Sequence, residues 1–325
     1  MKTYAGIDLH SSNNFIGVIN TKDKRLYSKR HPNRMQDVLK VLGKFKATLQ
    51  GVVVESTYNW YWLVDGLMDH GYRVHLANPS AIKTYEGLKH TDDKWDSFWL
   101  AHLLRLGILP QGYIYPKEQR PVRDLLRRRQ LYVKQRTSHI LSLQSMITRN
   151  RGLNFDGSQI KRLRDDFIKK MFDCPHLVFT AQKQVATIGF LDQQINDIEA
   201  VVRPQIQLKP EFEKLLTIPG IGDILGLTIM SEVGDIKRFA KAGHYSSYCR
   251  CVSSKRMSNG KKKGQNNRKN GNRYLSWAYV EAANFCIRYC SDAKRFYQRK
   301  LTKTKWVVAI IALSYKLAKA SDFII

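Results

Sequence analysis

An α/β domain followed by a basic, mainly helical remainder is the fold class that this sequence predicts. Three observations carry the prediction. The first hundred or so residues alternate short β-branched runs with amphipathic stretches, whereas helical spacing dominates from Pro121 onward. The charge is lopsided, with 55 Lys and Arg against 27 Asp and Glu in 325 residues, formally +28. Hydrophobic residues make up 43% of the chain, enough to bury the cores of two domains, which excludes disorder as the default.

The elements follow in order. TYAGIDL (3–9) and NFIGVIN (14–20) are apolar runs separated by a polar HSSN, the pattern of a β-hairpin, and RLYSKRH (25–31) can add a third strand. MQDVLKVLGKF (35–45) has helical spacing. GVVVEST (51–57) is a β-branched strand that ends in an acid. WYWLVDGLMDHGY (60–72) reads as a helix closing near Gly71, and RVHLANP (73–79) as a strand cut off by Pro79. DKWDSFWLAHLLRLG (93–107) is a strongly amphipathic helix. Three adjacent strands followed by helix, strand, helix, strand and helix is the element order of an RNase H-like domain, expected over residues 1–115.

Residues 116–205 read as a basic helical segment. Leu126, Val133, Ile140 and Ile147 recur every seven residues, a coiled-coil-like seam. A second helix from about Phe179 to Val202 can pair with it, either as a plain helical hairpin or as a dimerisation arm. Pro204 and Pro210 bracket a linker into a mainly helical last domain over residues 206–325.

So large an excess of positive charge calls for a polyanion, because neutralising phosphates releases condensed counterions. Nucleic acid is the first candidate and an anionic membrane surface the second. The longest apolar run, WVVAIIAL from Trp306, is eight residues and too short to cross a bilayer. The opening MKTYAGIDLH carries no signal-peptide pattern, so the expectation is a soluble cytoplasmic protein. Five cysteines suit a reducing compartment. Their spacings match no zinc motif, so they read as packing thiols.

The carboxylates carry the chemistry. Asp8 lies in the first strand, Glu55 closes a later one, and Asp93 and Asp96 sit three apart, which on a helix puts them on one face. If the first and fourth strands are neighbours, Asp8 and Glu55 come side by side and the helix adds two aspartates above them. Clustered carboxylates repel, and hard oxygen ligands select Mg²⁺ or Mn²⁺. Two such ions about 4 Å apart activate the attacking oxygen and stabilise the leaving oxygen in phosphoryl transfer. Taken singly, each acid also reads as a turn, a cap or a solvated face. Asp92 stands next to Asp93 and is the alternative third ligand.

TIPGIGDILGLTIMSEVGD resembles a helix–hairpin–helix. Gly220 and Gly222 permit a tight turn whose following helix can offer backbone N–H groups to a phosphate, although such a turn can also simply join two packed helices. Downstream lies SSKRMSNGKKKGQNNRKNGNRYLSW (253–277), with eight Lys or Arg and no Asp or Glu between Lys255 and Arg273. Its composition is that of a phosphate-binding loop. A serine hydroxyl is a poor nucleophile until a base or a metal takes its proton, and the local sequence offers no base for Ser258.

GIDLH, VVVEST, TDDKWD, IPGIG and RMSNGKKKG…NRKNGNRYLSWA, in that order, resemble the DEDD transposases of bacterial mobile elements. This is the family of insertion sequence 110, and within it the 1111 branch. The resemblance spans essentially the whole chain. It implies a RuvC-like N-terminal domain of RNase H type, a coiled-coil segment and a C-terminal transposase domain. It implies a metal tetrad of Asp8, Glu55, Asp93 and Asp96, and a nucleophilic serine matching Ser258, with Ser253, Ser254 and Ser276 as weaker matches. It further implies a covalent phosphoserine intermediate, activation from the RuvC-like site of a partner subunit in a homo-oligomer, and a noncoding guide RNA that pairs with donor and target DNA.

A protein that leaves base reading to RNA needs backbone contacts. Arg127, Arg128, Arg129, Lys134 and Arg136 are the expected clamps in the helical segment. Lys255, Arg256, Lys261, Lys262, Lys263, Arg268, Lys269 and Arg273 are those of the serine stretch. The expected function is thus a site-specific DNA recombinase. The rivals are a RuvC-like nuclease using metal-activated water and a non-catalytic nucleic-acid-binding protein.

Overall fold

A computed structural model describes residues 1–82, 92–205, 210–254, 256–264 and 270–325. The chain divides into two compact units, Met1–Lys117 and Glu118–Ile325.

The first unit is built on one five-stranded mixed sheet. β1 (Thr3–Leu9), β2 (Asn13–Asn20) and β3 (Arg25–Pro32) run antiparallel, while β4 (Leu49–Glu55) and β5 (Val74–Ala77) run parallel to β1, in the order β3-β2-β1-β4-β5. Helices α1 (Met35–Gly43), α2 (Tyr61–Asp69) and α3 (Asp93–Leu106) connect and cover it. Side chains of a strand alternate between faces. Ala5, Ile7, Leu9, Val52 and Val54 therefore pack with Val38, Leu42, Leu63 and Leu67 of α1 and α2. The opposite face belongs to α3, through Phe98 and Ala101 on Ile19 and through Leu100 and Leu103 on Val53.

Two glycines fix how closely α3 approaches. A Cβ on Gly6 would sit 2.0 Å from the backbone oxygen of Ser97 and 2.9 Å from the nitrogen of Ala101. A Cβ on Gly17 would sit 2.6 Å from the Ser97 hydroxyl. The helix backbone thus lies directly on β1, with no room for a methyl group. Gly6→Ala must lift α3 off the sheet. Overpacking of this kind costs about 1–3 kcal/mol, so thermal unfolding is expected several degrees lower. An unchanged melting temperature would show that the close approach is not required.

In the second unit, α4 (Arg120–Arg151) and α7 (Pro175–Val202) form a long hairpin, with short α5 (Gly157–Lys161) and α6 (Asp165–Met171) at its turn. Leu126, Ile140 and Ile147 of the seven-residue seam are buried and Val133 is half-buried. The paired helices are thus an intramolecular hairpin, and α7 begins four residues before the expected Phe179. The remaining helices are α8 (Pro210–Leu216), α9 (Asp223–Val233), α10 (Ala242–Tyr248), α11 (Arg273–Tyr289), α12 (Ser291–Leu301) and α13 (Trp306–Ile324). They share a core around Ile221, Ile229, Tyr245, Leu275, Tyr279 and Leu313. Cys249, Cys251 and Cys286 are buried in it. Burial pushes the Cys251 thiol up to about 12 and that of Cys286 to about 11, as expected of protonated packing thiols. Among the described residues no helix is long and apolar enough to cross a membrane.

The serine stretch departs from the expected loop. Residues Arg256–Ser258 (β6) and Lys261–Gly264 (β7) pair as a two-stranded hairpin. Asn259 and Gly260 turn it with φ of +47° and +68°. A type I′ hairpin turn matches the twist of its strands by taking positive φ at both central residues, and Asn-Gly is a pair that does so readily. The basic composition concealed this local signal.

Candidate metal centre and serine hairpin

The sheet register assembles the acids. β1 and β4 are parallel neighbours with Ile7 opposite Val54, so Asp8 and Glu55 end adjacent strands. Asp8 shares the parity of Gly6, and Glu55 that of Val53, so both project to the face that α3 covers. The close seat of α3 on Gly6 then lowers the first turn of the helix, with Asp93 and Asp96, over them.

Asp8 is buried, only 3% exposed. Burial, foremost, and then the hydrogen-bonded Glu55 push its carboxyl up to about 7, with the charges of Glu55 and Asp93 adding to the rise and His10 opposing it. Burial also raises Asp96, reinforced by the charges of Glu55, Asp93 and Asp92. Asp8 and Asp96 thus both neighbour Glu55 and Asp93, which brings the four acids expected from the sequence into one cluster. Asp92 plays a different part as the N-cap of α3, where its Oδ1 accepts the Trp95 N–H at 2.7 Å.

Two further residues at this site were not expected from the sequence. His10 Nε2 lies 3.2 Å from Asp8 Oδ2 and 3.2 Å from Asp93 Oδ2. Arg30 on β3 donates to Asp93 Oδ2 at 2.5 Å. The His10 carbonyl accepts from both Asn33 Nδ2 and Asn59 Nδ2 at 3.0 Å, which fixes the turn after β1. The Asp-x-His spacing of GIDLH, which puts both side chains on one face of an extended chain, is the signal that could have found His10. Nothing local marks Arg30, which is 63 residues from Asp93.

One ligand atom from each of Asp8, His10 and Asp93 lies within 4.8 Å of the others, a spacing that can hold a metal ion. The donor chemistry fits a divalent cation. Carboxylate oxygens dominate, one of them is buried and forced toward its protonated form, and among the described residues His10 and Arg30 oppose the clustered negative charge.

This has a consequence for stability. A carboxyl with a raised pKa holds a proton in the fold that the unfolded chain has already released. From about pH 4 to about pH 7 the metal-free fold therefore loses stability as pH rises. After chelation, the melting temperature is expected to fall between about pH 5 and about pH 7.5, and Mn²⁺ is expected to raise it more at the higher pH. A flat profile with no response to Mn²⁺ would remove the metal assignment.

In the second unit, Ser258 ends β6 on the exposed hairpin, opposite Lys261. Lys261, Lys263 and Arg273 are exposed, and the backbones of Arg256 and Lys262 belong to the paired strands. Lys255, Arg268 and Lys269 lie outside the described residues. Ser253 is exposed, and Ser254 and Ser276 are half-buried.

Three of the expected clamps are engaged inside the protein. Arg127 forms a double hydrogen bond to Glu232, 2.5 and 2.8 Å long, and lies 4.4 Å over the Tyr274 ring. Glu232 is 1% exposed and also accepts from Asn272, the N-cap of α11. Arg129 pairs with Glu199 at 2.6 Å, and Arg136 pairs with Asp192. Carboxylates already offset these three charges, whereas Arg128 and Lys134 face solvent. Gly220 has φ +89°, and a Cβ there would meet the Ala282 oxygen at 2.2 Å, so its bareness serves the packing of α11. Gly222, the N-cap residue of α9, is exposed, with open space around it.

Two family profiles match the chain in succession. A family profile described as a DEDD transposase of IS110 type matches residues 5–150, and one described as "Transposase IS116/IS110/IS902 family" matches residues 212–298. The chain is 24% identical over 332 residues to the transposase for insertion sequence element IS1328 of Yersinia enterocolitica, covering 98% of this chain and 95% of that one. It is 23% identical over 271 residues to a probable family 20 transposase of Pseudomonas aeruginosa, covering 80% and 78%. It is 26% identical over 257 residues to the pilin gene-inverting protein of Moraxella bovis, covering 76% and 71%.

Proposed function

This chain belongs to the IS116/IS110/IS902 family of transposases, and from that premise we propose that it recombines the DNA of an insertion sequence through a covalent serine intermediate. The observation that carries the reading is the convergence of Asp8, Glu55, Asp93 and Asp96 on one sheet face in a chain of net charge +28. The strand order β3-β2-β1-β4-β5, with acids at the ends of β1 and β4, supports a RuvC-like site of RNase H type. The turn between α8 and α9 is read as a helix–hairpin–helix, with Gly222 as its outward-facing element. Residues 116–205 are read as the coiled-coil segment and 206–325 as the transposase domain.

Asp8, Glu55, Asp93 and Asp96 would hold Mg²⁺ or Mn²⁺, with His10 beside them. A bound divalent ion supplies Lewis-acid activation of the attacking oxygen and neutralises charge on the leaving oxygen. In the proposed step, Ser258 Oγ bonds to a DNA phosphorus and loses its proton. The bond from that phosphorus to one deoxyribose oxygen breaks, and that oxygen takes up a proton. Attack on the phosphoserine by a hydroxyl of another strand rejoins DNA and restores the serine, with no net hydrolysis. The hairpin presents Ser258 with Lys261 across from it, and Lys263 and Arg273 are exposed on the same stretch, a composition suited to a phosphodiester backbone. A noncoding guide RNA and a homo-oligomer complete the reading.

Trapping tests it. With a nicked DNA substrate that releases one short product strand, denaturing gels are expected to show a covalent protein–DNA adduct that maps to Ser258. Cleaved ends carrying free hydroxyl and phosphate, with no adduct, would replace the reading with that of a metal-dependent nuclease.

A further inference from the structure

We propose that the groove between α3 and the edge strand β3 seats unpaired DNA bases leaving the acidic site, with Trp95 as a stacking platform. This rests on the recombinase reading above and names how its substrate lies.

Three half-buried rings form a ladder along α3, and the middle one, Trp99, also packs on the core around Leu100 and Leu103. Trp95 and Trp99 stack with centroids 5.3 Å apart at 15°, and Trp99 and His102 with centroids 5.3 Å apart at 19°. The lower rung is locked. His102 Nδ1 lies 2.9 Å from Asp23 Oδ1, and Arg105 grips the same carboxylate with bonds of 2.7 and 2.5 Å. These rings flank a cleft of about 170 Å³ between α3 and the turn from β2 to β3. Arg25, exposed on β3, borders the cleft with its guanidinium 4.3 Å over the Phe98 ring. A core helix has no need to hold a pinned stack of parallel rings beside an open, arginine-edged cleft. A nucleobase does use one, because every base has a flat face and single strands are held by stacking together with cationic tracking of phosphates.

The position selects DNA as the occupant. Trp95 lies in the first turn of α3, two residues from Asp93, and Arg30 joins β3 to Asp93 at the head of the groove. From Asp93 to His102 the helix rises roughly 14 Å, the length of about four stacked nucleotides. A strand opened at the acids and laid along α3 meets Arg30 first, then Trp95, then Arg25. The charge along this edge suits a polyanion, since Arg25 and Arg30 are both exposed on β3 on the side that α3 covers.

The test needs no catalysis. Binding of the full chain to fluorescent DNA duplexes with blunt ends or with four unpaired nucleotides is measured by anisotropy in chelator, with tryptophan quenching as a second signal. The overhang is expected to tighten binding about tenfold and to quench tryptophan fluorescence. Trp95→Ala and Arg25→Gln should each lose most of that gain and keep blunt-duplex affinity, while Trp95→Phe should retain it. Equal affinity for blunt and overhanging duplexes, or an unaltered gain in Trp95→Ala, would overturn the proposal. So would a clear preference for an RNA overhang of the same length. Loss of the overhang gain alone, with adduct trapping intact, would retire the groove and leave the recombinase reading standing. An intact gain without any adduct would do the reverse.

Discussion

Asp8→Asn is expected to lower DNA cleavage by at least about a thousandfold while leaving the fold intact or slightly more stable. The two effects have one cause. Asp8 is buried at the end of β1 among Glu55, Asp93 and Asp96, and its carboxyl is pushed up to about 7, so its charge opposes folding. Asparagine keeps the shape and removes the charge, which relieves the metal-free protein. The same change takes away the buried anionic oxygen of the candidate metal centre, and Lewis-acid assistance worth several kcal/mol of barrier goes with it. The pairing of a loss in rate with a gain in stability marks a functional carboxylate, because a structural one would lose both. Cleavage assays and thermal unfolding in chelator, run side by side, check it. Activity within tenfold of the parent would sink the assignment, and so would a large drop in melting temperature.

Ser258→Ala is expected to reduce covalent adduct to background, with DNA affinity within about twofold of the parent. Ser258 is exposed on its hairpin, and the turn is set by Asn259 and Gly260. Removing one hydroxyl therefore costs almost no stability, whereas it takes away the proposed nucleophile. Ser253→Ala, Ser254→Ala and Ser276→Ala should each retain the adduct. Cleavage that continues undiminished in Ser258→Ala, leaving free ends, would identify water as the attacking group.

Most of the first unit was legible because its signals are local. Strand alternation marked β1 and β4, a run ending in an acid marked Glu55, and i,i+3 spacing marked Asp93 and Asp96. The choice between Asp92 and Asp93 was not legible. Both open the helix, and only the backbone conformation of Asp92 shows it to be the cap. The internal partners of Arg127, Arg129 and Arg136 were not legible for a related reason. A basic run reads alike whether its charges face solvent or meet Glu232, Glu199 and Asp192, which stand 56 to 105 residues away.

The sequence by itself determined the α/β order of the first unit, the helical character of the second, the excess of positive charge and the positions of the four acids that the fold gathers. Each of these is written in periodicity or composition, which neighbouring residues express together. The tertiary structure alone decided that His10 and Arg30 join the acids and that Gly6 lets α3 descend onto them. It also decided that three arginines are held by internal carboxylates. Those outcomes depend on which strands become neighbours and how closely a helix seats, and such distances are set by packing between residues remote in the chain.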